Sequence, residues 1–461
     1  MTIETYEEKR RELVEANANL TGIVLRENEK KLDIILKELK DKLSESFGGS
    51  IPYDMPFLTD RRLKENGLYA FLSRMPKGAD LHVHDMALLP AEELLELLIS
   101  LSGFYINGDR KSYDLSKTER DGYLSLAEAV GTGYYTKEEI VKNWTVAGKG
   151  SSDGTFWDYF EELFSRHGAL SDNPQFAASY YDRAFRYYCE KNINHVEIHI
   201  MLTEDPDLSA EYVKAVRQAY YNVKKEYPAF TVRMIGAGMK ADNDKIEMTK
   251  RCFLNTAYVQ ETVKDESDPD NVSDFVIGFD IVNEEDANLP LHEFAPMLLL
   301  AKKQFPDLKL YIHGGESLSA GNENLIDAYL LGVSRVGHGF DLYRYPDLHS
   351  KYAKAEICLE CCPVSNMALG YAKDIRNHPA TEYLRTGVVL ALCSDDPAYM
   401  ENETLTDDFF AATVGWDLTL ADLKQLALNS IMYSGLDEKR KSESLLTFGK
   451  AWNEFVNTSI C

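Results

Sequence analysis

From Ala79 onward the sequence alternates short apolar runs with longer amphipathic stretches, and this pattern narrows the possible folds more than any other feature. It predicts eight strands, at residues 80–84, 195–200, 232–237, 275–282, 309–313, 335–338, 356–361 and 388–393. Helical periodicity fills much of the chain between them, as at 211–225 and 289–303. No GxGxxG or GxxxxGK[ST] fingerprint accompanies any strand, which disfavours a doubly wound nucleotide-binding sheet. The expected fold is therefore α/β, a closed (β/α)8 barrel of the TIM type. Residues 85–194 part the first two strands and must carry helices of their own, because no ordinary connection is that long.

Residues 1–75 read as an N-terminal helical extension and 76–461 as the barrel. Within the extension, Leu32, Ile35, Leu36, Leu39 and Leu43 fall at helical spacing, with Lys30, Glu38, Lys40 and Asp41 off that stripe. The stripe suits packing on the barrel or a homodimer through the N-terminal helices. The acidic group Asp265, Glu266, Asp268, Asp270 and Asp274 lacks the glycine of a calcium loop and reads as solvated surface.

Charge limits the partners. The chain has 50 basic and 75 acidic residues, a formal net charge of −25, which argues against nucleic acid and against an anionic membrane surface as ligands. The first ten residues hold three glutamates and no apolar run, and seven cysteines cannot all pair internally. A cytoplasmic protein with reduced thiols is the expectation.

In a parallel barrel the chemistry gathers where strands end. The first predicted strand ends in His82-Val83-His84, whose imidazoles point the same way at period two. The fifth ends in His313-Gly314-Gly315-Glu316, the sixth in Gly337-His338-Gly339 and the eighth in Ser394-Asp395-Asp396-Pro397. Imidazoles and carboxylates converging on one mouth are what a catalytic Zn²⁺ site needs. His195, Glu197 and His199 alternate on the second strand and could also be read as ligands, although a polar layer lining the barrel or pocket is the favoured account. Cys358, Cys361 and Cys362 have no second ligand pair and read as buried thiols. No GxSxG nucleophile elbow is present.

These strand ends, with the segments 75–85, 335–339 and Cys362-Pro363-Val364-Ser365-Asn366, resemble the ordered motif set of adenosine deaminases. The growth-factor-type branch is most similar, sharing Phe156-Trp157-Asp158-Tyr159-Phe160 and Arg376-Asn377-His378-Pro379. The resemblance implies one Zn²⁺ per subunit, held by His82, His84, His313 and Asp395. It implies Glu316 as the proton shuttle at purine N1, His338 as the base acting on the attacking water, and Asp396 as the partner of N7. The backbone N–H of Asn283, where most members have glycine, would meet N3, and Trp157, Asp85 and Glu197 would lie near the ribose. The implied reaction is hydrolytic deamination of adenosine and 2′-deoxyadenosine in purine salvage, with adenine or a 5′-modified adenosine as the alternative substrate. His199 replaces an arginine common in the family, and residues 85–188 contain no cysteine, unlike the disulfide-closed insertion of secreted members, so growth-factor or receptor activity is not implied.

Overall fold

A computed structural model of the chain describes residues 2–18, 22–54, 61–149, 155–171, 173–240, 244–263 and 275–460; the acidic group Asp265, Glu266, Asp268, Asp270 and Asp274 lies outside the described residues. Eight parallel strands follow one another around a barrel: β1 (Gly78–His84), β2 (Ile193–Ile200), β3 (Thr231–Met239), β4 (Val276–Val282), β5 (Ile312–Gly314), β6 (Arg335–His338), β7 (Cys358–Cys361) and β8 (Val389–Leu392). β1 to β4 pair in sequence order and so do β5 to β8; the short run Lys309–Leu310 pairs with β4 and leads directly into β5, with the Tyr311 N–H donating to the Phe279 carbonyl at 3.0 Å. The ring closes just beyond β8, where Val83 bridges Asp395. The His84 N–H donates to the Asp395 carbonyl at 3.0 Å and the Asp395 N–H to the His82 carbonyl at 2.9 Å. A closed barrel leaves no strand edge unpaired.

All eight predicted strands are present, with shifted ends. Glu356, expected to open the seventh strand, instead terminates the helix Pro346–Ala355 at φ 53°, so β7 starts at Cys358. A left-handed residue ends a helix and cannot belong to a strand.

The strands read as apolar because they are buried: Val83 of β1 joins the main core, while Ala79 and Leu81 pack with Cys358 of β7, Ala391 of β8 and Cys393 just after it. The barrel interior also carries charge. Arg335 donates from Nε to Glu360 Oε1 at 2.6 Å and from its terminal nitrogen to Glu197, lies over the Tyr311 ring at 4.1 Å, and is fully buried with both carboxylates. His195 Nε2 lies 2.9 Å from Glu197 Oε1. Burial acts to raise the Glu197 pKa, but the Arg335 charge and His195 outweigh it and hold the carboxyl below the usual range. This corrects the expectation for Glu197: its carboxylate is committed to Arg335 and His195 in the barrel interior, and it does not line the cavity at the strand ends.

Four helices of the N-terminal extension are described, α1 (Ile3–Ala18), α2 (Glu27–Ser46) and the shorter Arg61–Lys64 and Gly67–Arg74. On α2, Leu32, Leu36 and Leu43 join the main core, and buried Glu29 accepts from Lys424 Nζ at 2.5 Å and Trp452 Nε1 at 2.8 Å. The leucine stripe is thus spent on the barrel's own helices. The long connection after β1 holds a three-stranded antiparallel sheet (Tyr105–Asn107, Leu115–Ser116, Tyr123–Ser125) and the helix α3 (Phe156–His167). A reciprocal Thr155–Asp158 cap starts α3 and fixes its approach to the barrel mouth. Among the described residues no helix is long and apolar enough to cross a membrane, and all six described cysteines are free thiols.

The buried Arg335 bridges two carboxylates, so Arg335→Leu strands two unpaired charges in the interior. The expected loss is about 3–5 kcal/mol of unfolding free energy, measured by chemical denaturation.

Candidate active site

At the C-terminal mouth of the barrel His82, His84, His199, His313 and His338 crowd together, with His82 ring centroids 4.4 Å from both His199 and His313 and 5.1 Å from His338. Room for the His82 ring comes from Gly337, where a Cβ would stand 2.8 Å from His82 Cε1. Two of the residues here, His338 (φ 62°) and Asp395 (φ 60°), hold left-handed backbone that non-glycine residues adopt at a cost of order 1–3 kcal/mol each. The strain turns each side chain inward where its strand stops.

Two imidazoles are oriented from behind. The His82 Nδ1–H donates to Glu360 Oε2 at 2.7 Å and the His313 Nδ1–H to Asp280 Oδ2 at 2.6 Å, which leaves each Nε2 with its lone pair. Asp280 is fixed in turn by the His313 backbone N–H, at 2.9 Å. Buried His82 Nε2 has no hydrogen-bond partner. Asp395 Oδ1 lies 3.2 Å from His84 Nε2 and 3.6 Å from His82 Nε2, and donor atoms of His82, His313, His338 and Asp395 all fall within 4.8 Å of one another. Nitrogen and carboxylate donors with carboxylates behind the imidazoles fit a divalent cation such as Zn²⁺. Electrostatics agree. Burial works against ionising Asp395, but the neighbouring His338, His84 and His82 imidazoles outweigh it and hold its pKa well below the usual range. For His82, burial and then His313 and His199 drive the pKa well down, keeping the imidazole neutral as a ligand must be.

Two further carboxyls face the same space in the opposite state. Burial, then the Asp395 and Glu285 charges, push Glu316 well above the carboxylate range. Burial likewise raises Asp396; His84 opposes the rise and Asp395 reinforces it. Of the adjacent pair, Asp395 is driven toward the ionised form and Asp396 toward the protonated one, because two negative charges repel in one buried corner. Glu316 Oε1 and Asp396 Oδ1 are buried without a partner. Behind Glu316, the loop is pinned by buried Glu285, which accepts from Lys240 Nζ at 2.8 Å and from Gly315 N–H at 3.1 Å, while Lys240 also donates to the His313 carbonyl at 3.0 Å.

These groups open onto a cavity of about 410 Å³. Its outer wall is α3, which contributes Trp157, Phe160, Glu161 and Phe164. The Trp157 Nε1–H donates to the Tyr371 hydroxyl at 3.2 Å. Asp85 also lines the cavity, its Oδ1 accepting from the Met86 N–H at 2.9 Å and from the Tyr181 hydroxyl, with the Tyr212 hydroxyl 3.4 Å from Oδ2. Asn283 lines it too, at φ 99°, where glycine would be relaxed. Its side chain is folded back on the backbone: Oδ1 accepts from the Glu284 N–H at 2.8 Å and Nδ2 donates to the Lys240 carbonyl at 3.3 Å. Among the described lining residues there is no lysine or arginine, against Asp85, Glu161, Glu316, Asp395 and Asp396.

The structure thus gathers His82, His84, His313, His338, Glu316, Asp395, Asp396, Asp85, Asn283 and Trp157 around one space and leaves Glu197 outside it. His199 divides from its strand neighbours, since its Nδ1–H donates to Asp280 Oδ2 at 2.7 Å and its ring lines the cavity. Sequence reasoning missed the supporting carboxylates Asp280 and Glu360. A signal existed: each is a single acid inside an apolar strand, Phe279-Asp280-Ile281 and Leu359-Glu360-Cys361, and such an acid needs a buried partner.

The profile of the adenosine deaminase family matches residues 152–447. Adenosine deaminase 2-A of Danio rerio is 30% identical over 97% of this chain and 93% of its own length. Among solved structures, the N6-methyl-AMP deaminase of Arabidopsis thaliana superposes with a TM-score of 0.61 at 16% identity, covering 84% of this chain and 99% of that one. A Burkholderia ambifaria amidohydrolase with bound Zn has a TM-score of 0.61 at 18% identity, covering 85% and 94%.

Asp280→Asn loses the charge that orients His313. Divalent-metal affinity is expected to fall about 10–100-fold, as read by competition with a chelator.

Proposed function

The chain belongs to the adenosine deaminase family, and from that premise we propose that it is a Zn²⁺-dependent hydrolase converting adenosine and 2′-deoxyadenosine to inosine and 2′-deoxyinosine with release of ammonia, in purine salvage. The observation that carries this reading is the pair of neutral carboxyls facing the cavity, Glu316 and Asp396, each with an oxygen that no protein group satisfies. An adenine ring carries lone pairs and no protons at N1, N3 and N7. Two protonated carboxyls and the Asn283 backbone N–H offer three donors to those three acceptors, a polar match that fixes the ring's orientation.

The metal reading assigns the ion to His82, His84, His313 and Asp395. Zn²⁺ there would supply Lewis acidity and bring the pKa of water from 15.7 to about 7. The chain's own residues do the rest. Glu316 gives its proton to N1 as water adds at C6, so the negative charge that would build on the ring is neutralised where it forms. Glu316 is held on the loop that begins at His313, and Glu285 and Lys240 tie that loop down, so acid and ligand move as one body. The C6–N6 bond then breaks. Of the two protons of the attacking water, one departs with ammonia and the other returns to Glu316, leaving N1–H on the product. Asp396 holds N7 and His338 orients the attacking oxygen. Asp85, kept ready by Tyr181 and Tyr212, accepts from a ribose hydroxyl, and Trp157 closes the outer side.

The cavity wall supports an uncharged nucleoside over a nucleotide, because a 5′-phosphate would meet carboxylates and no described lysine or arginine. Exposed Ile3, Leu13 and Val14 on α1 support a homodimer through the N-terminal helices. Light scattering checks this, with a monomer for the full chain as the contrary result.

The activity is tested by following ammonia release from adenosine, 2′-deoxyadenosine, adenine and AMP with zinc-loaded protein. Adenosine should turn over, with kcat/KM for AMP roughly 100-fold or more lower because of like-charge contact; exclusive turnover of adenine would select the alternative substrate. Glu316→Gln should retain metal and lose ~10²–10⁴-fold in kcat.

A further inference from the structure

The His338 imidazole is the inner end of a buried hydrogen-bonded chain. It starts at the Ala380 backbone N–H, which donates to His378 Nδ1 at 3.1 Å. A ring nitrogen that accepts carries no proton, so the proton of neutral His378 sits on Nε2 and donates to Asn366 Oδ1 at 3.0 Å. That contact decides which way the Asn366 amide faces. Its NH2 group is turned to His338, with Nδ2 3.4 Å from Nδ1. All three side chains are buried, and the His378 ring is held edge-on to Phe340 at 5.1 Å and against Trp416 at 5.3 Å. Because the chain begins at a backbone N–H, which can only donate, its direction cannot reverse.

The surroundings of His338 agree with that direction. A neutral imidazole has one N–H and one lone pair to place. The other group near Nδ1 is Glu316, with Oε1 at 3.5 Å and in no hydrogen bond with it. Neither neighbour of Nδ1 calls for a proton from it.

We propose that Asn366 and His378 are positioning residues that set the tautomer of His338, placing its lone pair at Nδ1 and its single proton on Nε2, the nitrogen 3.9 Å from Asp395 Oδ2. This rests on the reading of the site as a deaminase centre. It also changes the role that the family resemblance implied for His338. A base at Nε2 needs a lone pair there, whereas the relay supplies an N–H, which orients the attacking oxygen and stabilises negative charge as it develops.

The test is the protonation pattern of the His338 ring in full-length protein labelled with [15N]histidine, read by long-range proton–nitrogen correlation and assigned by its loss in His338→Gln. Wild type should show Nε2 protonated and Nδ1 not. Asn366→Asp replaces a donor with an acceptor and should move the proton to Nδ1, with kcat falling roughly 10–100-fold and KM changing less than about 3-fold. A wild-type ring protonated at Nδ1, or the same tautomer in both proteins, overturns the proposal, and the wild-type spectrum decides the matter even if the variant fails to fold. Protein with the expected tautomer but no deamination of any nucleoside would overturn the proposed function and leave the relay standing.

Discussion

The bridge between Val83 and Asp395 is the contact on which the remaining structure depends. It closes the barrel, since the backbone of Asp395 donates to His82 and accepts from His84. The same residue brings its carboxylate to the imidazoles of those two histidines. Ring closure and assembly of the donor set are one event, and the left-handed backbone at Asp395 lets a single residue take part in both. A barrel that did not close would leave β1 and β8 as edges and separate the donors by the width of the sheet.

Beneath this mouth the barrel carries buried charge in two connected tiers. Glu360 accepts from Arg335 with one oxygen and from His82 with the other, so the structural tier reaches directly into the functional one. Glu197 belongs to the lower tier, which explains why it is absent from the cavity although its strand neighbour His199 is present. Such networks cost desolvation and return little net stability, but every member is paired. What they return is fixed orientation: the His82, His199 and His313 rings are each held by a carboxylate whose own position is set.

The division of the cavity's carboxyls into charged and neutral is equally a property of place. Asp395 and Asp396 are adjacent in sequence and opposite in state, because three imidazoles reach the first, whereas the second has burial and a like charge beside it. Glu316 is kept neutral in the same way. One buried corner therefore offers an anion for a cation and proton donors for a ring rich in lone pairs.

Much of this was legible in the sequence. Period two in His82-Val83-His84, the strand-end placement of His313, His338 and Asp395, and the alternation of eight apolar runs each follow from local chemistry and chain geometry, so the barrel and its donor types could be read without coordinates. Glu197 could not be placed, because a period-two pattern states which side of a strand a residue faces and not how far along the barrel axis it sits. Asp280, Glu360, Asn366 and His378 lie outside the strand-end pattern and acquire their roles from partners up to 278 positions away, as between His82 and Glu360. The fold of Asn283 onto its own backbone, and the proton states of Glu316 and Asp396, were likewise decided by the tertiary structure. Sequence fixes which groups a chain possesses and the period at which they recur, but hydrogen-bond partners, desolvation and charge proximity exist only once distant segments meet.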